Sequence, residues 1–342
     1  MPTPESIKTI VGRTERGSSL GMTALIVHAH HERQSFSSAL FRQASNTLTE
    51  LGYAVETSDL YAMAWDPVSG RRNFSSVLDS SYLKQQAEER HATEVNGFAA
   101  TVESEIRKLE SCDVLIFSFP LWWYGMPAIL KGWVDRVFAM SRTYGGSKKF
   151  EKGLGRSEKR AMVILTTGGN AVSFGGYGMN LSLDSVLKPI EHGVFWFNGF
   201  LPLEPFVAWN PARASLRERE EYLTQLDERL RRLHQEPPRH LPLQSDFGDD
   251  GTDQKKRFMV VTSFNGITGE WSPGRGWEGL PQLRELQRNG VLLTTFWSQT
   301  AAGSWKGFLV FREGNRERVR EHLQSLPPAS FPSFEISELA RV

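Results

Sequence analysis

Residues 114–138 read VLIFSFPLWWYGMPAILKGWVDRVF. The opening half, Val114 to Phe119, is a short apolar run closed by Pro120, the pattern of a strand buried on both faces. Gly125 and Pro127 then break the chain, and Pro127 suits the first turn of a helix predicted from Ala128 to Phe138. The order strand, aromatic loop, helix puts Trp122, Trp123 and Tyr124 at the carboxyl end of a strand, where open α/β sheets bind their ligands. Three adjacent aromatics there can wall a flat heterocycle. Two plainer readings compete. Val114 to Leu130 is uncharged for nearly the length of a membrane span, but two prolines and a glycine interrupt it and Lys131, Asp135 and Arg136 follow, which argues against a span. A cluster that only packs is the other, and loop placement rather than aromaticity favours a site.

Outward from this stretch the pattern alternates. Ala24 to Val27 reads as a short buried strand, followed by a helix capped by Ser35 or Ser37 and running to Leu51, with Gly52 at its end. Tyr53 to Leu60 alternates as a second strand, and a helix from Asn96 to Leu109 leads into the Val114 strand. Ala161 to Leu165 is another buried strand, ending in Thr166-Thr167-Gly168-Gly169, and helical periodicity returns over Leu183 to Phe197 and Ser215 to Leu233. Strands alternating with helices imply a doubly wound parallel α/β sheet with right-handed crossovers.

The composition then shifts. Residues 233–256, LHQEPPRHLPLQSDFGDDGTDQKK, are rich in proline and acid without an apolar period, and 236–256 is expected to be a linker. Beyond it come strand Phe258–Phe264, helix Leu280–Arg288, strands Val291–Trp297 and Trp305–Phe311, helix Arg316–Leu326 and strand Phe334–Leu339. This βαββαβ order predicts a small ferredoxin-like α+β domain over 257–342. Phe258, Val260, Leu293 and Phe308 are expected to form a sheet face used in self-association. Residues 1–21 are polar, hold no apolar core of signal-peptide length, and read as a disordered tail before a first domain at 22–235.

Composition bounds the partners. With 39% hydrophobic and 23% charged residues the chain is globular, and at a net charge of +1 nothing drives it towards nucleic acid or an anionic membrane. The single cysteine, Cys112, excludes an internal disulfide and a multi-cysteine metal site, and cytoplasm is the default compartment.

In such a sheet three segments converge, because each follows a strand. The first, residues 28–37, HAHHERQSFS, opens a helix whose free N–H groups and positive dipole end suit a phosphate or pyrophosphate, with Arg33, Ser35 and Ser37 as further donors. No glycine-rich dinucleotide or ATP motif is present. A histidine metal cluster is disfavoured: carboxylate partners at ligand spacing are missing, and strand alternation would turn His30 and His31 to opposite faces. No metal is expected. The second segment is the aromatic loop. The third is Thr166 to Gly169, where paired glycines let backbone approach a planar ring and present N–H groups to developing negative charge. Together they suggest an aromatic cofactor with a phosphate tail, and flavin fits best.

HAHHERQSFS, SDLYAMAWDP, FPLWWYGMPAILKGWVDRVF and TTGGNAVSFGG, in this order and spacing, closely resemble the flavodoxin-like NAD(P)H:quinone oxidoreductase family over residues 22–235. The resemblance implies a flavodoxin-like doubly wound sheet, a homodimer, and one FAD, less often FMN, per subunit near the dimer interface, with NAD(P)H as co-substrate and a quinone-like acceptor. It implies that His30, Ser35, Phe36 and Ser37 hold the flavin phosphates and that Pro120, Leu121, Trp122, Trp123 and Tyr124 hold the ribityl chain and ring. The backbone of Trp123 and Tyr124 would lie near the flavin N5 and O4, and Thr166, Thr167, Gly168 and Gly169 would border its pyrimidine edge. Tyr144 matches an aromatic lent to the partner's substrate pocket. One departure matters: where the best-studied branch carries a tyrosine and a histidine that stabilise reduced flavin, this chain places Phe174 and Asn180, neither able to relay a proton. Tyr177 is the candidate substitute, which makes Trp123, Tyr124, Gly168, Gly169, Tyr144 and Tyr177 the catalytic set. A rival reading from another class is a flavin-bearing ancillary subunit of a transport system. Residues 257–342 more faintly resemble the muconolactone isomerase-like proteins, through LQRNGVL and LPPASFPSFEISEL, and an association role is expected for them.

Overall fold

The computed structural model describes residues 21–155, 158–175, 178–239, 244–247, 255–264, 281–299, 305–325 and 334–339. All but the last residue of the tail expected at 1–21, and most of the linker expected at 236–256, lie outside the described residues. The chain divides into two compact units, residues 1–238 and 239–342.

The first unit follows the order β1 (Thr23–His28), α1 (Phe36–Glu50), β2 (Ala54–Asp59), α2 (Gln85–Val95), α3 (Ala100–Ser111), β3 (Val114–Pro120), α4 (Ala128–Val137), β4 (Arg160–Thr167), α5 (Leu183–Ile190), β5 (Leu201–Pro202), β6 (Phe206–Trp209) and α6 (Leu216–Leu230). The strands form a parallel sheet in the order β2-β1-β3-β4-β5, with β6 also paired to β4. This is the flavodoxin-like arrangement, whose strand order reverses beside β1 and so opens a crevice between β1 and β3 at their carboxyl ends.

Alternation along the central strands divides the core in two. Leu25, Val27, Leu115, Phe117, Val163 and Leu165 face α3 and α4, packing on Val102, Ile106, Leu109, Leu130 and Trp133. Ala24, Ile26, Val114, Ile116, Met162 and Ile164 face α1 and α6, against Leu40, Ala44, Leu48, Leu226 and Leu230. Every residue of β3 is buried, as its unbroken apolar run requires. At about 1.5–3 kcal/mol per buried large side chain, these two layers dominate the stability of the unit. A polar knot on the first of these sides ties β2, α3 and α4 together: the buried Glu105 carboxylate accepts from Ser58 Oγ at 2.6 Å, Lys108 Nζ at 2.7 Å and Trp133 Nε1 at 2.8 Å. α4 can approach the loop after β2 only because residue 132 is glycine, since a Cβ there would meet Pro67 backbone at 2.2 Å.

Two expectations for the first unit are corrected. The helix expected to start at Asn96 starts at Ala100, because Asn96 is the left-handed cap of α2, at φ 56°. The single helix expected over Leu183–Phe197 is α-helical only to Ile190, then a π-helical turn over Glu191–Phe195 and a 3₁₀ turn over Trp196–Asn198. Pro189, with no N–H to give, sits where the regular ladder fails.

The second unit contains β7 (Lys256–Phe264), α7 (Pro281–Arg288), β8 (Leu292–Gln299), β9 (Trp305–Glu313), α8 (Arg316–Gln324) and β10 (Phe334–Leu339). Its sheet is antiparallel, in the order β10-β7-β9-β8. Phe258 and Val260, expected on an associating face, are instead fully buried with Leu283, Leu309, Phe311, Val319 and Leu323 beneath this unit's own helices. Leu293 is exposed and Phe308 half-buried.

Candidate functional site

The three segments singled out in the sequence meet at the carboxyl ends of β1, β3 and β4. Ser35 caps α1 by accepting the Ser38 N–H at 3.1 Å. The cap satisfies one of the orphan donors of a helix start, and the N–H groups of Phe36 and Ser37 are given no acceptor among the described residues. Ser37 Oγ and Thr166 Oγ1 are hydrogen-bonded at 2.8 Å, and the Leu121 N–H donates to the Thr166 carbonyl at 2.8 Å. Thr166 therefore ties all three segments together. His30, Ser35, Phe36, Ser37 and Thr166 line a cavity of about 240 Å³, completed by Pro211, Ala212 and Arg219 from the segment after β6. A helix start, three hydroxyls and a guanidinium around one cavity suit a phosphate-bearing group.

Beneath this cavity His28 ends β1, 1% exposed. Its Nδ1 lies 3.1 Å from Ser118 Oγ and its Nε2 3.1 Å from Ser38 Oγ, while its ring stacks on Phe41 at 4.5 Å. Ser38 Oγ donates in turn to the Glu32 carbonyl at 2.9 Å, so the histidine anchors the loop from below. Burial pushes its pKa down to about 4, against the pull of Asp59. His30 and His31 do not face opposite ways as alternation suggested: β1 stops at His28, and the two rings stack at 4.9 Å, both within 6 Å of Trp122. Burial, then the neighbouring His31, lowers the His30 pKa. Among the described residues no three His, Cys, Asp or Glu side chains are placed to hold a metal ion.

The aromatic loop is strained. Trp123 and Tyr124 have φ of 52° and 57°, in a region that bulky residues rarely occupy. They are the central pair of a tight turn closed by the Gly125 N–H donating to the Trp122 carbonyl at 3.0 Å. The turn leaves the Trp123 indole 98% exposed, and Tyr124 Oη donates to Asn180 Oδ1 at 2.8 Å. Phe174 packs between Tyr124, at 6.2 Å, and Trp209, at 5.7 Å. Phe174 and Asn180, noted as departures from the family pattern, thus support the aromatic loop. A Cβ built on Gly168 would meet nothing within 4 Å, which leaves an open face beside these rings, whereas one on Gly169 would strike Phe174 and Ser173 at 2.9 Å. Tyr177 lies outside the described residues.

Tyr144 is not brought to this site. It lies in a separate cavity with Phe197, the ring centroids 5.8 Å apart. The sequence reading missed Pro211, Ala212 and Arg219; the signal was the short apolar segment Phe206–Trp209, an Asn-Pro turn and the Ser215 cap of the next helix.

Fold and site together define a doubly wound α/β protein whose ligand edge couples an anion-accepting helix start to an aromatic and glycine slot. The sequence profile of the flavodoxin-like fold family matches residues 22–230. NAD(P)H dehydrogenase [quinone] 1 of Cavia porcellus is 35% identical over 216 residues, 63% of this chain and 78% of that protein. The human ribosyldihydronicotinamide dehydrogenase [quinone] is 34% identical over 219 residues, 64% of this chain and 94% of its own length. A solved structure from Klebsiella pneumoniae, assigned to the quinone reductases, shares 32% identity and a TM-score of 0.66, covering 69% of this chain and 95% of that one. The chain belongs to the flavodoxin-like family that holds these NAD(P)H quinone oxidoreductases. Among the described residues no helix is long and apolar enough to cross a membrane.

Proposed function

We propose that residues 22–235 form a flavin-dependent NAD(P)H:quinone oxidoreductase. The observation that carries this is the convergence of two unlike half-sites: the cavity of about 240 Å³ at the α1 start and the open face over Gly168, linked to Tyr124 through Gly169 and Phe174. A flavin nucleotide has those two parts, a phosphate tail and a flat ring, and the residues present fit both. His30, Ser35, Phe36 and Ser37 would hold the phosphates, with Arg219 as an added cation. Pro120 to Tyr124 and Thr166 to Gly169 would hold the ribityl chain and ring. A bound flavin would supply two-electron hydride chemistry, with its N5 as the acceptor position, between NAD(P)H and a quinone or related aromatic acceptor.

The chain's own part is orientation and dipoles. The left-handed turn at Trp123 and Tyr124 fixes backbone N–H groups at the slot, and the glycines of the third segment supply more, so negative charge developing on the ring is met by groups already in place. One open face beside Trp123 serves nicotinamide and acceptor in turn, which gives ping-pong kinetics. FAD rather than FMN, the homodimer, and Tyr144 as the aromatic lent across it rest on the family. We assign the second unit an association role, since a four-stranded sheet packed on its helices has a second face to cover.

The purified protein should be yellow, with flavin released by heat and separable as FAD or FMN by chromatography, and should oxidise NAD(P)H steadily only when a quinone is added. A colourless protein that neither flavin reconstitutes would overturn the reading; a yellow one inert towards quinones would favour the ancillary-subunit alternative.

A further inference from the structure

The Tyr124 hydroxyl begins a hydrogen-bond chain whose direction is set at its far end. Ser173 Oγ donates to the Asn170 carbonyl at 2.8 Å, which commits its one proton. The serine oxygen is therefore an acceptor for Asn180 Nδ2, 3.0 Å away. With its amide nitrogen turned to Ser173, Asn180 presents Oδ1 to Tyr124, and the phenol donates to it at 2.8 Å. The Asn180 N–H donates to the Ser173 carbonyl at 3.0 Å, which holds this amide where it is. The chain runs one way, from phenol to backbone carbonyl.

A neutral phenol has a single proton, and here Asn180 holds it. What Tyr124 Oη has left to offer is lone pairs, and with the side chain 44% exposed a ligand can reach them. It is a poor donor to a ligand carbonyl, because giving up its proton would leave Asn180 Oδ1 unpaired. It is a good acceptor. The chain also lies where a ligand would feel it: a Cβ on Gly169 would stand 3.3 Å from Asn180 Nδ2, so the bonds run from the aromatic loop to the glycine next to the open face at Gly168.

We propose that Tyr124 Oη is a specificity group, an acceptor only, which makes the ring-side slot select quinones that carry an N–H or O–H donor over quinones that carry carbonyls and alkyl groups alone. Asn180 is the positioning residue that sets this polarity. The proposal rests on the flavin reading only in calling the selected molecule an electron acceptor.

Equilibrium binding to the purified full chain, without NAD(P)H, tests it with menadione and its amino analogue, in which an amino group replaces the ring methyl. The two share the fused ring and both carbonyls and differ in a donor. The amino analogue should bind about three- to tenfold more tightly, the return on one neutral hydrogen bond. Tyr124→Phe keeps the ring and removes the acceptor, so the preference should vanish. Asn180→Ala keeps the hydroxyl but frees its proton to turn towards a carbonyl, so the preference should vanish there too, through tighter binding of menadione. A merely structural role would weaken both probes alike in both variants. Equal affinities in the native chain, binding of neither probe in the millimolar range, or a preference that survives either substitution would overturn the proposal. Colour and quinone-dependent NAD(P)H oxidation on the same samples judge the flavin reading separately. A yellow, active protein without the preference overturns this proposal alone, and a colourless one that shows it supports the proposal while overturning the flavin reading.

Discussion

The two halves of the candidate site are built in opposite ways. On the tail side the buried side chains are tied down: Ser37 to Thr166, Ser38 to His28 and Glu32, His28 to Ser118, with the histidine 1% exposed. On the ring side the backbone is strained at Trp123 and Tyr124, and the Trp123 indole is 98% exposed. The difference teaches where each property resides. Tail-side residues serve the fold as well as the ligand, so changing them should register in stability. Ring-side residues support little of the fold, so changing them should register in binding and turnover.

The largest effect expected from this division is a pH dependence of stability centred on His28. Its folded pKa of about 4 lies below the unfolded value of 6.5, so between those limits only the unfolded chain takes the proton. The stability it contributes is complete above pH 6.5, falls as pH drops, and levels off near 4, a span worth about 3 kcal/mol. Urea midpoints at pH 7 and pH 4.5 should therefore differ more in the native chain than in His28→Leu. Equal slopes in the two proteins would show that the buried histidine is not the titrating group.

Next is Gly168→Val on the ring side. Its Cβ meets no protein atom within 4 Å, so the melting temperature of the flavin-free protein should hold. Flavin affinity, followed by fluorescence quenching, should fall roughly ten- to hundredfold, as about 1–3 kcal/mol of overpacking implies. Gly169→Val is the foil: its Cβ would strike Phe174 and Ser173 at 2.9 Å, so it should cost stability even without ligand. Full flavin occupancy in Gly168→Val would mean that the open face is not where the ring lies.

Smaller again, Trp123→Ala should leave the melting temperature unchanged and raise the KM for bulky acceptors a few-fold; a clear loss of stability would break the contrast between the two halves. The smallest effect belongs to the first 21 residues. A chain beginning at Met22 should match the whole in melting temperature and quinone reduction, and a measurable deficit would give that segment a role that its composition denies it.

How much of this was legible in the sequence depended on whether an element carries its own apolar signal. β3 and the segment after it did, because an unbroken buried run followed by Gly125 and Pro127 admits few conformations. α2 did not: QQAEERHATEV has no apolar stripe, and Ala92 is its single buried hydrophobic residue. It is held instead by Glu88, whose carboxylate accepts the Leu78 and Asp79 N–H groups at 2.8 and 3.1 Å. Such contacts join residues nine and ten apart through a charge that the sequence presents as surface. Arg219 was hidden likewise in LREREEYLTQLDERL, where charged residues at helical spacing read as a solvated face. Only the pairing of β6 with β4 brings that helix start beside the Ser35 cap. His28 was illegible for a third reason: burial gives a titratable side chain its meaning, and no local pattern announces it.

Thr166 has a consequence for binding kinetics. Its hydroxyl holds the Ser37 side chain and its carbonyl holds the Leu121 N–H, so one residue at the end of a buried strand orders three loops at once. The conformational entropy of those loops is lost when the chain folds, not when a ligand arrives. A cofactor meeting such a surface has little left to organise. Its capture should approach the rate set by diffusion and orientation, and its residence time rather than its arrival should record any weakening of the site.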